Sequence, residues 1–211
     1  MNGGPGEKPV IRPGDFRLAT PGERAPIART LARAFASDPV FRWMLPDDHS
    51  RENRMERLFD LLLRLHGRTG RILAAPDDRA ASIWQPPGTA TLGFPTILAN
   101  LPRLLEVFGR HILRSLAVSG AIEAHMPRNE PFWYLHFVGV EPALQGQGRG
   151  KAMVTRGLQW AAEAGLPTYL ETARPENVSL YLGLGFTVTG EWDVPDGPHF
   201  WSMLHRPAGR P

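Results

Sequence analysis

One stretch of the 211-residue chain limits its fold more than any other. An apolar run from Phe132 to Val140 meets a Glu141-Pro142 stop, then a turn carrying Gly146, Gly148 and Gly150, then an amphipathic segment from Lys151 to Ala164. Continuous apolarity bounded by turn signals reads as a strand buried on both faces. The segment after the turn has helical periodicity and ends at Gly165-Leu166-Pro167, with Gly at the C-terminal cap and Pro beyond it. A strand feeding a helix through a glycine-rich turn belongs to an α/β architecture. Its helix start presents unpaired backbone N–H groups at the positive end of a dipole, where a phosphate can sit. The glycines keep side chains away from such an approach.

Two familiar phosphate loops do not fit. A dinucleotide fingerprint needs G-x-G-x-x-G, but Lys151 stands where the last glycine would be. A Walker loop needs G-x-x-x-x-G-K-[ST], but Ala152 replaces the hydroxyl and Gln145 the first glycine. The turn is read as a metal-free pyrophosphate cradle of another kind.

The remaining elements follow from local signals. Residues 1–14 are Gly/Pro-rich and read as a flexible tail, and 207–211 as a short C-terminal one. Phe16 to Ala19 is a short strand. Thr20-Pro21-Gly22-Glu23 is a capping box with Pro at the first helical position, opening a helix to about Ala36 with Ile27, Leu31, Ala34 and Phe35 inward. Ser37-Asp38-Pro39 starts a short helix, and a third covers about Arg51 to His66. Arg71–Ala75 and Ala80–Gln85 pair around Pro76-Asp77-Asp78. Thr91 to Ala124 is mostly helical. After the helix that follows the glycine turn come a strand at Thr168–Thr172, a helix at Pro175–Leu182, and a hairpin of Phe186–Trp192 with His199–His205.

Composition excludes several classes. The 42% hydrophobic content suits a packed domain. There is no cysteine, which rules out disulfides, thiolate metal sites and a cysteine acyl-enzyme. Lys occurs only at 8 and 151, and the net charge is +3 with no block of like charge. Neither a nucleic-acid groove nor a membrane span is expected. The N-terminus lacks the apolar region of a signal peptide, so the expected location is cytoplasmic. His199 and His205 have no metal-ligand spacing, and no metal is expected.

The pattern Gln145-x-x-Gly148-x-Gly150, after the strand ending Val138-Gly139-Val140-Glu141-Pro142, resembles the acetyl-CoA loop of the GNAT acetyltransferase superfamily. A second likeness lies at Asn177-x-x-x-Tyr181-x-x-x-Gly185-Phe186, in the same order and at a familiar separation. The resemblance covers residues 15–206. It implies a single domain with a mixed, mostly antiparallel sheet flanked by helices. One departure is the connection between the third and fourth strands, a tight turn in that family and here about residues 88–130 of helix. Long connections often serve as lids or dimer surfaces, so this one is expected to wall an acceptor pocket, with a homodimer left open. The C-terminal third, including Tyr169–Thr172, Val194-Pro195, Gly197-Pro198, Trp201 and Met203, resembles the puromycin N-acetyltransferase branch.

The resemblance implies direct transfer of acetyl from acetyl-CoA to an amine acceptor, a small molecule in the favoured reading. An acyl-CoA-sensing module without turnover and an enzyme for protein N-termini or lysines are the alternatives. It assigns the pyrophosphate to Gln145, Gly146, Gln147, Gly148, Arg149, Gly150 and Lys151, and the pantetheine arm to Val138, Gly139, Val140 and Asn177. Tyr181 is the general acid implied, beside the cofactor sulfur. Two bases are open. His136 on the central strand would share a face with Tyr134, Val138 and Val140 under strict alternation. Glu171 lies where the neighbouring strand is expected to splay away. Glu123, His125 and Asp193 are weaker acceptor-site candidates.

Overall fold

In the computed structural model, which describes residues 12–207, the elements run β1 (Arg17–Leu18), α1 (Arg24–Ala34), α2 (Pro39–Met44), α3 (Asp48–His66), β2 (Arg71–Ala74), β3 (Ala80–Gln85), α4 (Phe94–Ala99), α5 (Leu101–Phe108), α6 (Ile112–His125), β4 (Trp133–Val140), α7 (Arg149–Ala164), β5 (Thr168–Thr172), α8 (Pro175–Leu182), β6 (Phe186–Asp193) and β7 (His199–His205). Most of the flexible-tail expectation for 1–14, and of that for 207–211, lies outside the described residues. Residues 13–15 form a 3₁₀ turn.

The local signals act as expected. The Thr20 backbone N–H donates to Glu23 Oε2 at 2.7 Å, closing the capping box over a 3₁₀ turn before α1. Asp38 caps α2 by accepting from the Val40 N–H at 2.9 Å. Gly165 ends α7 in the left-handed region, φ 66°.

The strands form one sheet in the order β1-β2-β3-β4-β5-β7-β6. Every neighbouring pair is antiparallel except β4 and β5. One core lies between the sheet and α1, α2, α3 and the 94–125 helices, around Leu31, Phe41, Phe59 and Ile83. A second lies under α7 and α8, around Trp84, Leu135, Met153 and Trp160. This is a mixed α/β fold with helices on both faces of a mostly antiparallel sheet.

Two irregularities of β4 shape the centre. Ile83 pairs with Phe137 but Trp84 pairs with Leu135, so His136 is an extra residue and β4 bulges there. Leu135, Val138 and Val140 pack on the α7 side. Phe137 packs edge-on to Phe35 and Phe59 on the opposite side. The expected common face of Tyr134, His136, Val138 and Val140 is therefore corrected. Tyr134 and His136 share a face, and the bulge turns Val138 and Val140 to the other. Gly139 faces α1, where a Cβ would meet Leu31 Cδ2 at 2.7 Å.

The second irregularity is a short ladder. β4 and β5 pair only at Trp133 with Thr168 and Tyr134 with Tyr169. Beyond that point β5 runs on with β7 to Thr172. The β4 edge from Leu135 onward is left without a strand partner on that side, and a cleft opens between the two strands.

Candidate active site

The glycine turn stands at the end of β4. A 3₁₀ turn at Pro142–Leu144 carries the chain to Gly146 and Gly148, whose φ angles are 74° and 77°. An L side chain is strained at either position, and nothing lies within 4 Å of a Cβ built there. The helix opens at Arg149, two residues before the sequence placed it. Its first intrahelical bond runs from the Ala152 N–H to the Gly148 carbonyl, 2.9 Å, which leaves the amides of Arg149, Gly150 and Lys151 facing outward. These amides and the bare loop fit a pyrophosphate.

The loop's longer side chains are engaged within the fold. The Arg149 guanidinium is buried and donates to Asp77 Oδ2 at 2.8 Å, so it braces the β2–β3 turn and offers the loop only its backbone N–H. Gln145 Nε2 donates to the Val140 carbonyl at 3.0 Å, and Gln147 Nε2 to that of Ala143 at 3.4 Å.

Beneath the cleft lies a cavity of about 290 Å³. It reaches Val138, Glu171, Asn177 and Tyr181 on the strand side, and it is walled by Phe108, Ile112, Val118 and Ile122 of the helices between β3 and β4. The long connection thus lines the cavity beside the cleft. Asn177 Nδ2 donates to Thr172 Oγ1 at 3.3 Å. Tyr181 packs against Phe186 with ring centroids 5.5 Å apart.

Glu171 is the electrostatic focus. Its Oε1 accepts from the Tyr134 hydroxyl, while its Oε2 is buried without a hydrogen-bond partner among the described residues. Burial pushes the carboxyl up to about 7, against the downward pull of the Tyr134 hydrogen bond. Burial and the nearby Glu171 charge also push the Tyr181 phenol above its ordinary value. The Tyr181 phenol therefore holds its proton more tightly than a free one.

His136 lies in the same cavity but in a different state. Its ring stacks on Tyr134 at 4.9 Å and meets His66 edge-on at 4.9 Å. Burial, and then His66, hold it well below the usual imidazole range. Burial likewise lowers His66 to about 4. His66, Tyr134 and Asp38 were missed as site residues. In the sequence His66 was only the end of the third helix, and only the fold places it against His136. Of the weaker candidates, Glu123 lines the cavity. His125 stacks on Trp192, 4.3 Å between centroids, and Asp193 Oδ1 lies 2.8 Å from His199 Nδ1.

Comparison with known proteins identifies this arrangement. The Acetyltransferase (GNAT) family model matches residues 96–186, which include the glycine turn, Glu171, Asn177 and Tyr181. Over those residues the chain is similar to the GNAT acetyltransferases. An uncharacterised N-acetyltransferase of Schizosaccharomyces pombe is 28% identical over 169 residues, 75% of this chain and 68% of that protein. A mycothiol acetyltransferase of Streptomyces scabiei is 34% identical over 121 residues, 56% of this chain and 33% of that protein. This chain therefore spans about a third of that relative. The crystal structure of a Corynebacterium glutamicum protein, described as histone acetyltransferase HPA2 and related acetyltransferase, superposes with a TM-score of 0.71 at 25% identity, covering 92% of this chain and 97% of the other. The family and these relatives support an acyl-CoA-dependent acetyltransferase, and the GNAT family uses acetyl-CoA as donor. Among the described residues no helix is long and apolar enough to cross a membrane.

Proposed function

We propose that this GNAT domain acetylates the primary amine of a small molecule by direct transfer from acetyl-CoA within one ternary complex. The observation that carries the reading is the wall of α5 and α6 over Glu171. An acceptor enters a chamber of about 290 Å³, at the small end of ligand pockets, and not an open groove suited to a peptide.

The roles follow from position and proton affinity. The amides of residues 146–151 hold the pyrophosphate. The free edge of β4 at Val138 and Val140 pairs with the pantetheine amides as an added strand, and Asn177 supports the arm. A β4 backbone N–H near Val138 stabilises the developing oxyanion. Glu171 is the base, because a carboxyl near 7 is matched to neutral pH. A histidine held well below its ordinary value is a weak base, so His136 shapes the cavity beside Tyr134. Tyr181 hydrogen-bonds to and then protonates the leaving thiolate.

Calorimetric titration with acetyl-CoA, with CoA and ATP as controls, tests the loop. A thiol-release screen over amines, including puromycin and peptides with free N-termini, tests the transfer. Tight acetyl-CoA binding with CoA release driven by small amines is expected. Binding without release would favour a sensing module, release only with peptides would favour a protein acceptor, and no binding would remove the assignment of the glycine turn.

A further inference from the structure

We infer that the acceptor is a hydrophobic monoamine, a single ammonium on an aromatic or branched aliphatic body, bearing no carboxylate and no second cation. This rests on the transferase reading above and narrows it. The chamber walls are apolar over most of their extent, with Phe41, Leu62, Phe108, Ile122, Phe137 and Phe200 among them. The charged side chains that line it are all acidic: Asp38, Glu123 and Glu171. Among the described residues no lysine or arginine lines it. Arg174 acts on Asp38 from outside the lining. The two imidazoles, His66 and His136, are held neutral by burial, so they add no positive charge at neutral pH.

Such a chamber selects by charge and by polarity together. An ammonium entering it meets Glu171 and exchanges its hydration for a carboxylate partner. A carboxylate on the same molecule would be dehydrated beside Asp38 and Glu171 with no cation in the lining to pair with, which is strongly unfavourable. A second ammonium, as in a polyamine, would be carried onto apolar wall away from Glu171. An apolar body, in contrast, gains from every surface it covers.

The test is a matched set of acceptors on the full chain with saturating acetyl-CoA: 2-phenylethylamine, phenylalanine and spermidine. The first and second differ only by the carboxylate. The expected result is that kcat/KM for 2-phenylethylamine exceeds that for phenylalanine at least about 100-fold, as like-charge juxtaposition requires, and exceeds that for spermidine at least about 10-fold. Glu123 lies exposed at the rim of the lining, so Glu123→Arg preserves the fold. It is expected to narrow the phenylalanine penalty about 2- to 10-fold. Turnover led by phenylalanine or spermidine would overturn the inference and leave the transferase reading in place. Absence of CoA release from every amine would count against the transferase reading. Calorimetry on the CoA-loaded protein then decides the inference. Tighter binding of 2-phenylethylamine than of phenylalanine by about 10-fold or more supports it, and equal or reversed affinity overturns it.

Discussion

Replacing Glu171 with Gln removes a charge while preserving shape, and the structure sets both the size and the sign of its effect. The carboxyl rises from 4.5 in an unstructured chain to about 7 in the fold. A group whose proton affinity is higher in the folded state contributes stability that is fully present below about 4.5 and lost as the pH rises through about 7. At ~1.4 kcal/mol per tenfold change in proton affinity, the ionised carboxylate costs the cofactor-free fold roughly 3 kcal/mol at pH 8. Glu171 is only half-buried as a residue, so cavity solvent screens part of this, and about 1–3 kcal/mol is the expected gain for Glu171→Gln. Urea denaturation at pH 5 and pH 8 measures it. Asp38, raised to about 6 by burial, has the same sign as Glu171. His66 and His136 have the opposite sign, because a histidine held below 6.5 favours the fold as the pH rises past its folded value. Only the difference between variant and native chain therefore isolates Glu171. The variant should be the more stable at pH 8, with the gain shrinking below about 1 kcal/mol at pH 5, while its turnover falls about 10²- to 10⁴-fold. A variant less stable than the native chain at pH 8, or a gain independent of pH, would refute the reasoning that Glu171 is an under-solvated base.

Further outcomes are expected for single substitutions. Tyr134→Phe removes the hydrogen bond that holds Glu171 down, so the acidic limb of the kcat/KM profile should move up by about one pH unit; an unmoved limb would separate Glu171 from that profile. Tyr181→Phe should lower kcat about 10- to 1000-fold with acetyl-CoA affinity little changed by calorimetry, whereas full activity would remove Tyr181 from the chemistry. Gly148→Asp adds both a side chain at φ 77° and a negative charge, and should weaken acetyl-CoA binding at least about 100-fold without loss of secondary structure by circular dichroism. A Cβ at Gly157 would overlap the Trp84 indole, so Gly157→Ala should cost at least about 2 kcal/mol in urea denaturation. Gly120→Ala, with nothing within 4 Å, should be neutral or stabilising.

The elements were legible because their signals are local. The Thr20–Glu23 box, the Asp38-Pro39 cap, the Gly165-Pro167 stop and the glycine turn each act within a few residues, where backbone geometry and side-chain hydrogen bonds decide the outcome. The glycine turn was legible for the same reason, because its exposed amides are consecutive in the chain. Arg149 was not. Its guanidinium goes to Asp77, a partner 72 positions away in the chain that no spacing rule anticipates.

The sequence by itself therefore determined the order of helices and strands, the glycine turn and the presence of Glu171, Asn177 and Tyr181 near it. Tertiary structure alone decided how they face the cavity and how tightly each titratable one holds its proton. The bulge at His136 depends on pairing with β3, and it moved Val138 and Val140 to the face opposite His136. Burial also set the two candidate bases apart. A carboxylate loses stability and a histidine loses its proton when taken out of water, so the same cavity that brought Glu171 toward neutral pH carried His136 away from it. That cavity exists only because the helices after β3 fold back over the gap between β4 and β5, an arrangement set by long-range packing.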